Sequence, residues 1–308
     1  MQEGSKRAIL AAFVANLGIS IAKAVGFVIT GSAGLLAEAG HSLADTGNQA
    51  LLLLGGRRAA RAADREHPFG YGRERYFWAF VVALVLFSVG GLFALYEGID
   101  KLRHPHETEN LIVAIGILVL AIALEAFSLL TAIRVARHVK PEGTSWWQFI
   151  RTAKSPELPV VLLEDLGAEI GLLFALIGVV LANATHDPRW DAVGSIAIGV
   201  LLVAIAVVLA IEMKGLLIGE AASTETEEAI STAIAASPHV VSLIHLRTQH
   251  IGPDELLVGA KIDFGTSLDL SRLSQAINEV ETAIRKSVSF KCVIYLEPDL
   301  RLEETRAQ

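Results

Sequence analysis

Residues 160–182 read VVLLEDLGAEIGLLFALIGVVLA. An α-helix needs roughly 20 consecutive apolar residues to cross the hydrocarbon core of a bilayer, and this run has that length. Yet it carries Glu164, Asp165 and Glu169, all in its first half. An ionised carboxylate at the centre of a bilayer costs about 2.5 kcal/mol or more, so intramembrane acids are rare and functional by default. The stretch therefore predicts a membrane-spanning helix with a functional site in it.

The rest of the chain agrees with a membrane setting. It has 308 residues, 53% of them hydrophobic, with a mean hydropathy of +0.51. That is too apolar for an ordinary soluble protein. Six apolar blocks stand out, at about 7–30, 33–56, 77–99, 111–133, 158–182 and 191–213. The first is expected to be a retained helix, not a cleaved leader, because Lys23 interrupts it and no small-residue cleavage site follows. The predicted architecture is a multi-pass α-helical membrane protein with six transmembrane helices in residues 1–213. Residues 214–308 hold 14 acids against 9 bases and read as a soluble cytoplasmic domain. Lys and Arg in the short loops number thirteen on one side against three on the other. By the positive-inside rule both termini face the cytoplasm, in the plasma (inner) membrane if the cell is prokaryotic. The single cysteine, Cys292, excludes an internal disulfide and a CxxC metal site.

The tail switches periodicity. Residues 224–236 and 269–286 read as helices, and 240–249, 255–264 and 290–296 as strands, with a turn at Gly252-Pro253-Asp254. The order αββαβ predicts a compact α+β domain of ferredoxin-like kind.

The second block, AGLLAEAGHSLADTGNQALLLLGG, is the least apolar and should face protein or water. Its His41 and Asp45 are spaced i, i+4, so they share a helix face that Asn48 and Gln49 continue. Asp165 and Glu169 repeat that spacing in the fifth block, with Glu164 about 100° around the helix from Asp165. One imidazole and several carboxylates from two helices suit a divalent cation. Zn2+ accepts such N and O ligands, and Mn2+, Fe2+ and Co2+ accept them too. The candidate metal ligands are His41, Asp45, Asp165, Glu164 and Glu169. Metal ligands must be deprotonated to bind, so exchange of metal for protons follows from such a set. The competing reading makes the acids neutral hydrogen-bonding groups between helices.

HSLAD with TGNQALLLLGG, then HPFGYGRERYFW at 67–78 and VVLLED at 160–165, resemble the cation diffusion facilitator family, and within it the zinc transporter 9 branch. The resemblance extends through DPRWDAVGSIAIGVLL in the sixth block to the αββαβ tail. It implies a homodimeric six-helix antiporter that moves Zn2+ or a related cation out of the cytoplasm against protons by alternating access. The implied partners are the metal, protons, the lipid bilayer and a second copy of the chain. No nucleic acid, no organic cofactor and no enzymatic activity are expected. The family pattern takes two ligands from each of spans two and five. His41, Asp45 and Asp165 match three of them. The fourth position is Val161, which has no metal-binding atom; resemblance favours Glu164 as the substitute, and the helix face favours Glu169. In the tail, the family's strand histidines correspond to His245, Lys261 and Tyr295, so no strong metal site is expected there. His239 and His250 are expected at the surface.

Other features are read more plainly. Asn16 and Lys23 form a polar stripe on span one, taken to bond neighbouring helices. Glu125 is either a proton-relay group or a packed acid. Gly26, Gly90, Gly91, Gly171 and Gly178 suit close helix contacts. Trp146, Trp147 and Phe149 suit either a bilayer interface or a packed loop. Two other function classes compete. One is an intramembrane metalloenzyme, for which His106-Glu107-Thr108-Glu109-Asn110 is the nearest string and lacks the second His of HExxH. The other is a non-transporting sensor or scaffold of the same fold.

Overall fold

The computed structural model describes residues 3–105 and 110–301, with side chains of the first helix described from residue 16. Of the string His106-Glu107-Thr108-Glu109-Asn110, only Asn110 lies within the described residues. The chain divides into two compact units, one of Met1–Ala60 with Glu74–Lys214 and one of Arg61–Arg73 with Gly215–Gln308.

The first unit is helical. Its elements are α1 (Glu3–Thr30), α2 (Ala33–Ala59), α3 (Glu74–Val85), a π-helical turn at Leu86–Leu92, α4 (Phe93–Arg103), α5 (Leu111–Val139), α6 (Trp146–Thr152), α7 (Glu157–Thr185) and α8 (Arg189–Ile218). Among the described residues four helices are long and apolar enough to cross a membrane: the continuous segment Glu74–Arg103, α5, α7 and α8. Asn16–Thr30 is a shorter apolar stretch. Helix α2 fails that test by composition, because its polar residues are spread through its length.

Helices α1 and α2 form a hairpin. Gly31 turns the chain at φ +64°, a left-handed conformation that favours glycine. Ser32 then caps α2 by accepting from the Leu35 amide at 3.4 Å. Helix α2 packs against α1, α3, α4 and α7, and α5 packs against α7 and α1. Close backbone approaches fix α8: a Cβ on Gly178 of α7 would stand 2.9 Å from the Trp190 carbonyl, and one on Gly91 3.2 Å from the Val203 amide nitrogen. A buried ion pair joins α4 to α8. Lys101 Nζ lies 2.8 Å from Asp191 Oδ2, with both side chains at most 1% exposed. The same Asp191 accepts from Ser32 Oγ at 3.1 Å and the Gly34 amide at 3.3 Å, while Lys101 donates to the Gly31 carbonyl at 3.0 Å. This pair thus pins the α1–α2 turn. Two arginines at helix ends also have partners: Arg75 of α3 pairs with Glu157 of α7 at 2.5 Å, and Arg58 of α2 lies 5.2 Å over Trp78. In α6, Trp146 and Trp147 are exposed whereas Phe149 is buried against Ala132 and Ala136 of α5.

The second unit contains α9 (Thr224–Ala235), β1 (Ser242–Gly252), β2 (Glu255–Asp263), α10 (Leu270–Ser287) and β3 (Lys291–Asp299), in the expected order αββαβ. The three strands form one sheet in the order β1-β2-β3, with β1 and β2 antiparallel and β2 and β3 parallel. Strand β2 buries Leu256, Val258, Ala260 and Ile262 in alternation, as a strand with one covered face must. They pack with Ile230 of α9 and Val280 of α10. On the sheet His245 stands opposite Lys261, which stands opposite Glu297, while Tyr295 stands opposite Gly259. Lys261 is ion-paired with Asp299 at 2.5 Å and Glu297 at 3.3 Å. His239 is exposed, but His250 is not at the surface as expected. It is 1% exposed, edge-on to Phe290 at 5.1 Å, and its amide donates to the Glu220 carbonyl. The irregular register at His250–Gly252 accompanies this inward packing.

The segment Arg61–Arg73 belongs to this second unit. Asp64 organises it, accepting from the Glu66 and His67 amides and from the Tyr71 hydroxyl at 2.6 Å. These donors hold the Asp64 carboxyl below the usual carboxylate range, the Tyr71 hydroxyl contributing most. Gly72 sits against the β1 end, where a Cβ would meet the Ile251 carbonyl at 2.7 Å.

Candidate metal centre

Helix α2 carries Glu38, His41, Ser42, Asp45, Thr46 and Asn48, all buried. A helix can hide so many polar groups only if neighbouring helices surround it, and α1, α3, α4 and α7 do so. His41 is fully buried and faces the π-helical turn, its Nδ1 3.9 Å from where a Gly90 Cβ would stand. Such turns are rare and gather at functional sites. His41 Nε2 is 3.5 Å from Asp45 Oδ2, so the i, i+4 pair is brought together as predicted. Neither imidazole nitrogen nor Asp45 Oδ1 has a hydrogen-bond partner among the described residues. Buried polar atoms are overwhelmingly hydrogen-bonded, so these three unpartnered atoms, with Glu38 Oε1, Asn48 Oδ1 and Gln49 Oε1 on the same helix, single out α2 as the candidate site.

Across from α2, Glu164 of α7 is buried and accepts from Asn48 Nδ2 at 2.6 Å. Asn48 is one turn beyond Asp45, so this bond ties Glu164 to the helix that carries His41 and Asp45. Asp165 is half-buried and accepts from Ser128 Oγ of α5 at 3.0 Å. Glu169 is half-buried, and its Oε2 has no hydrogen-bond partner among the described residues. Asp45 is within electrostatic reach of Glu164, Asp165, Glu125 and Lys23. Even so, among the described residues no three His, Cys, Asp or Glu side chains converge closely enough to hold a metal ion. In this arrangement α2 brings two of the candidate ligands together, His41 and Asp45, while two of the α7 acids are held by Asn48 and Ser128. Val161 packs against the apolar cluster of Ala132, Ala136, Phe149 and Leu162.

Beside the half-site lies a group that the motif reading did not assemble. Lys23 of α1 is fully buried, donating to Ser42 Oγ at 2.7 Å and Glu38 Oε2 at 3.2 Å and lying 3.6 Å from Glu125 Oε1. Lys23 and Glu125 were visible singly; Glu38 was missed. Its spacing to His41 and Asp45, three and seven residues, places all three on one face of α2, which is a signal the sequence did contain. Ser128 stands three residues after Glu125, on the same face of α5.

The cation efflux transmembrane domain matches residues 9–218. The proton-coupled zinc antiporter SLC30A9, mitochondrial, of Xenopus laevis is 31% identical over 85% of this chain and 48% of its own length. The metal tolerance protein C4 of Arabidopsis thaliana is 31% identical over 84% of this chain and 57% of its own length. The zinc transporter ZitB of Pectobacterium atrosepticum is 25% identical over 83% and 75%, respectively. The chain thus spans about half the length of the SLC30A9 relative. The family domain and the four long apolar helices make this an integral membrane protein. The chain belongs to the cation efflux, or cation diffusion facilitator, family of transporters, in its zinc transporter 9-like branch.

Proposed function

We propose that the chain is a divalent cation/proton antiporter that exports Zn2+ from the cytoplasm by alternating access, with Mn2+, Fe2+ and Co2+ as the alternative cargoes its ligand set would accept. The observation that carries this reading is the buried pair of His41 and Asp45, with orphaned ligand atoms, on the helix bonded to acid-bearing α7. Relatives named as zinc antiporter and zinc transporter support Zn2+.

In this reading six segments span the membrane: α1, α2, the run of α3 through α4, α5, α7 and α8. Residues 1–213 form the transport domain. Residues 214–308 form a ferredoxin-like cytoplasmic domain that pairs two copies in a homodimer, with both termini in the cytoplasm. His41, Asp45 and Asp165 bind the cation. Glu164 is the fourth ligand, because Asn48 holds it one turn from Asp45; Glu169 stands outside the set. Closing the set requires the α7 carboxylates to leave Asn48 and Ser128 or to carry those partners along, which is a movement of α7 relative to α2 and α5. Ligands that release the metal take up protons, since the binding forms are deprotonated. Protonation also removes the cost of leaving ionised acids in the membrane. One movement and one exchange of charge thereby run together.

The test is zinc flux into proteoliposomes with a pH-sensitive dye in the lumen. Zinc entry with proton exit is expected for the wild type, and loss of both for Asp45→Ala and Asp165→Ala. Failure of Zn2+, Mn2+, Fe2+ and Co2+ alike to move protons would refute the antiporter. Normal flux in both variants would refute the ligand assignment alone.

A further inference from the structure

Lys23 calls for an explanation that the metal ligands do not provide. A fully buried ammonium is expensive in a membrane-spanning helix, and it persists only with partners. Here its partners form a cradle of three oxygens: Ser42 Oγ at 2.7 Å, Glu38 Oε2 at 3.2 Å and Glu125 Oε1 at 3.6 Å. The cradle is drawn from α2 and α5, whereas the ammonium comes from α1. Two carboxylates and a hydroxyl are the oxygen donors that hard cations select. The other carboxylate oxygen, Glu38 Oε1, is buried without a hydrogen-bond partner among the described residues. It rests against Gly171 of α7, where any Cβ would collide with it. The charged and titratable groups around the cradle are Glu38, His41 and Asp45 on α2, Glu125 on α5, and Asp165 and Glu169 on α7.

We propose that the Lys23 ammonium is a tethered cation that fills an oxygen-lined monovalent-cation site formed by Ser42, Glu38 and Glu125 next to the metal half-site. Its charge is covalently attached and so stays in place while metal and protons exchange at His41, Asp45 and the α7 acids. A free Na+ or K+ in the same cradle would be a third coupling ion; the tether removes it. Lys23 is then a positioning residue, acting through Ser42 and Glu38 on the face of α2 that carries His41. This role rests on the antiporter reading, but the cradle itself can be tested without transport.

The experiment compares thermal unfolding of the purified full chain in NaCl, KCl and choline chloride at equal ionic strength, for wild type, Lys23→Arg and Lys23→Ala. Wild type and Lys23→Arg should melt alike in all three salts. Lys23→Ala should melt lower in choline and shift upward, saturably, as Na+ or K+ replaces it, because an ion that binds only the folded state stabilises it by mass action. Zinc uptake by Lys23→Ala in proteoliposomes should be lost in choline and restored by the same ion. An Ala variant indifferent to the salt, or a wild type showing the same shift, would overturn the proposal. Should Lys23→Ala not fold, the neutral pair Lys23→Gln with Glu38→Gln decides. That double variant keeps the net charge of the wild-type cradle, with Glu125 as its one carboxylate, so it should fold and ignore the salt, and its failure to fold overturns the tethered-cation role. Wild-type flux reports on the antiporter reading separately, so a transport failure with a cation-dependent melt would leave the cradle standing.

Discussion

Lys101→Met should destabilise the helical unit strongly, and Asp191→Asn added to it should restore most of the loss. The ammonium and the carboxylate are 2.8 Å apart and at most 1% exposed, so neither is screened by water. Methionine keeps the volume of the stem but removes the charge. Asp191 keeps Ser32 Oγ and the Gly34 amide as donors. Removing a charge-assisted hydrogen bond costs about 1.5–3 kcal/mol, and leaving one partner of a buried pair behind raises the total to about 3–5 kcal/mol. At about 2–4 °C per kcal/mol for a domain of this size, the melting temperature should fall by roughly 6–20 °C. In the double variant the buried charge is gone, Asn still accepts from Ser32 and Gly34, and most of that fall should be recovered. Thermal unfolding of the detergent-solubilised chain, in a double-mutant cycle, measures the coupling. A single variant that loses less than about 1 kcal/mol, or a double variant as unstable as Lys101→Met, would refute the claim that this pair pins the α1–α2 turn.

Three further outcomes follow from the geometry. Glu164→Gln should abolish zinc flux while Glu169→Gln retains it, and Asn48→Leu should weaken zinc binding by about 10–100-fold, the range for outer-shell partners of a metal ligand; calorimetric titration and flux assays read both, and the reverse pattern would move the fourth ligand to Glu169. Gly72→Ala would drive a Cβ to 2.7 Å from the Ile251 carbonyl and 2.9 Å from Gly252 Cα. Both contacts are backbone, so the loop 61–73 should loosen at a cost of about 1–3 kcal/mol, read as faster tryptic cleavage at Arg61, Arg65 and Arg73. On the sheet, the Lys261 hydrogen bond depresses the Asp299 carboxyl, and Asp299 followed by Glu297 raises Lys261. The depressed acid contributes stability above the ordinary aspartate range that is lost as the pH falls through its folded value. The raised base contributes stability below the ordinary lysine range that is lost as the pH rises through its own. Hydrogen exchange of β3 amides, corrected for the intrinsic rate, should therefore quicken at both extremes, and Lys261→Met should flatten that profile; the pair is exposed, so the effect is small.

What the sequence disclosed tracks the range over which each constraint acts. An unbroken apolar run is a local demand of lipid, so the blocks at 77–99, 111–133, 158–182 and 191–213 could be read directly and appear as Glu74–Arg103, α5, α7 and α8. The switch of period in the tail is equally local, and αββαβ emerged from it. His41 with Asp45 was readable because four residues on a helix fix a shared face. Longer-range features were not. Lys101 and Asp191 are 90 residues apart, and neither carries a sign of the other. The π-helical turn at Leu86–Leu92 is a backbone choice that the letters LFSVGGL do not dictate. His250 looked like a solitary surface histidine because Phe290, which covers it, arrives from the far end of the domain. Glu38 was legible by spacing but was passed over, since its partners Lys23 and Glu125 lie on other helices.

Helix α2 draws these strands together, because the trait that lowers its hydropathy is the one that gives it a task. Its polar residues would be prohibitive against lipid, yet Glu38, His41, Asp45 and Asn48 are all buried by protein. Each level of the helix meets a different neighbour: Ser32 meets Asp191 of α8, Glu38 meets Lys23 of α1, His41 meets the π-helical turn, and Asn48 meets Glu164 of α7. The first two levels are closed by fixed charges from the protein itself, Asp191 with Lys101 and Glu38 with Lys23. Among the described residues the level of His41 and Asp45 keeps three buried polar atoms without a hydrogen-bond partner, whereas Glu38, Asn48 and Gln49 keep one each. In the proposed antiporter a mobile cation has most to gain at that level, where an imidazole and a carboxylate stand together without hydrogen-bond partners for three of their atoms.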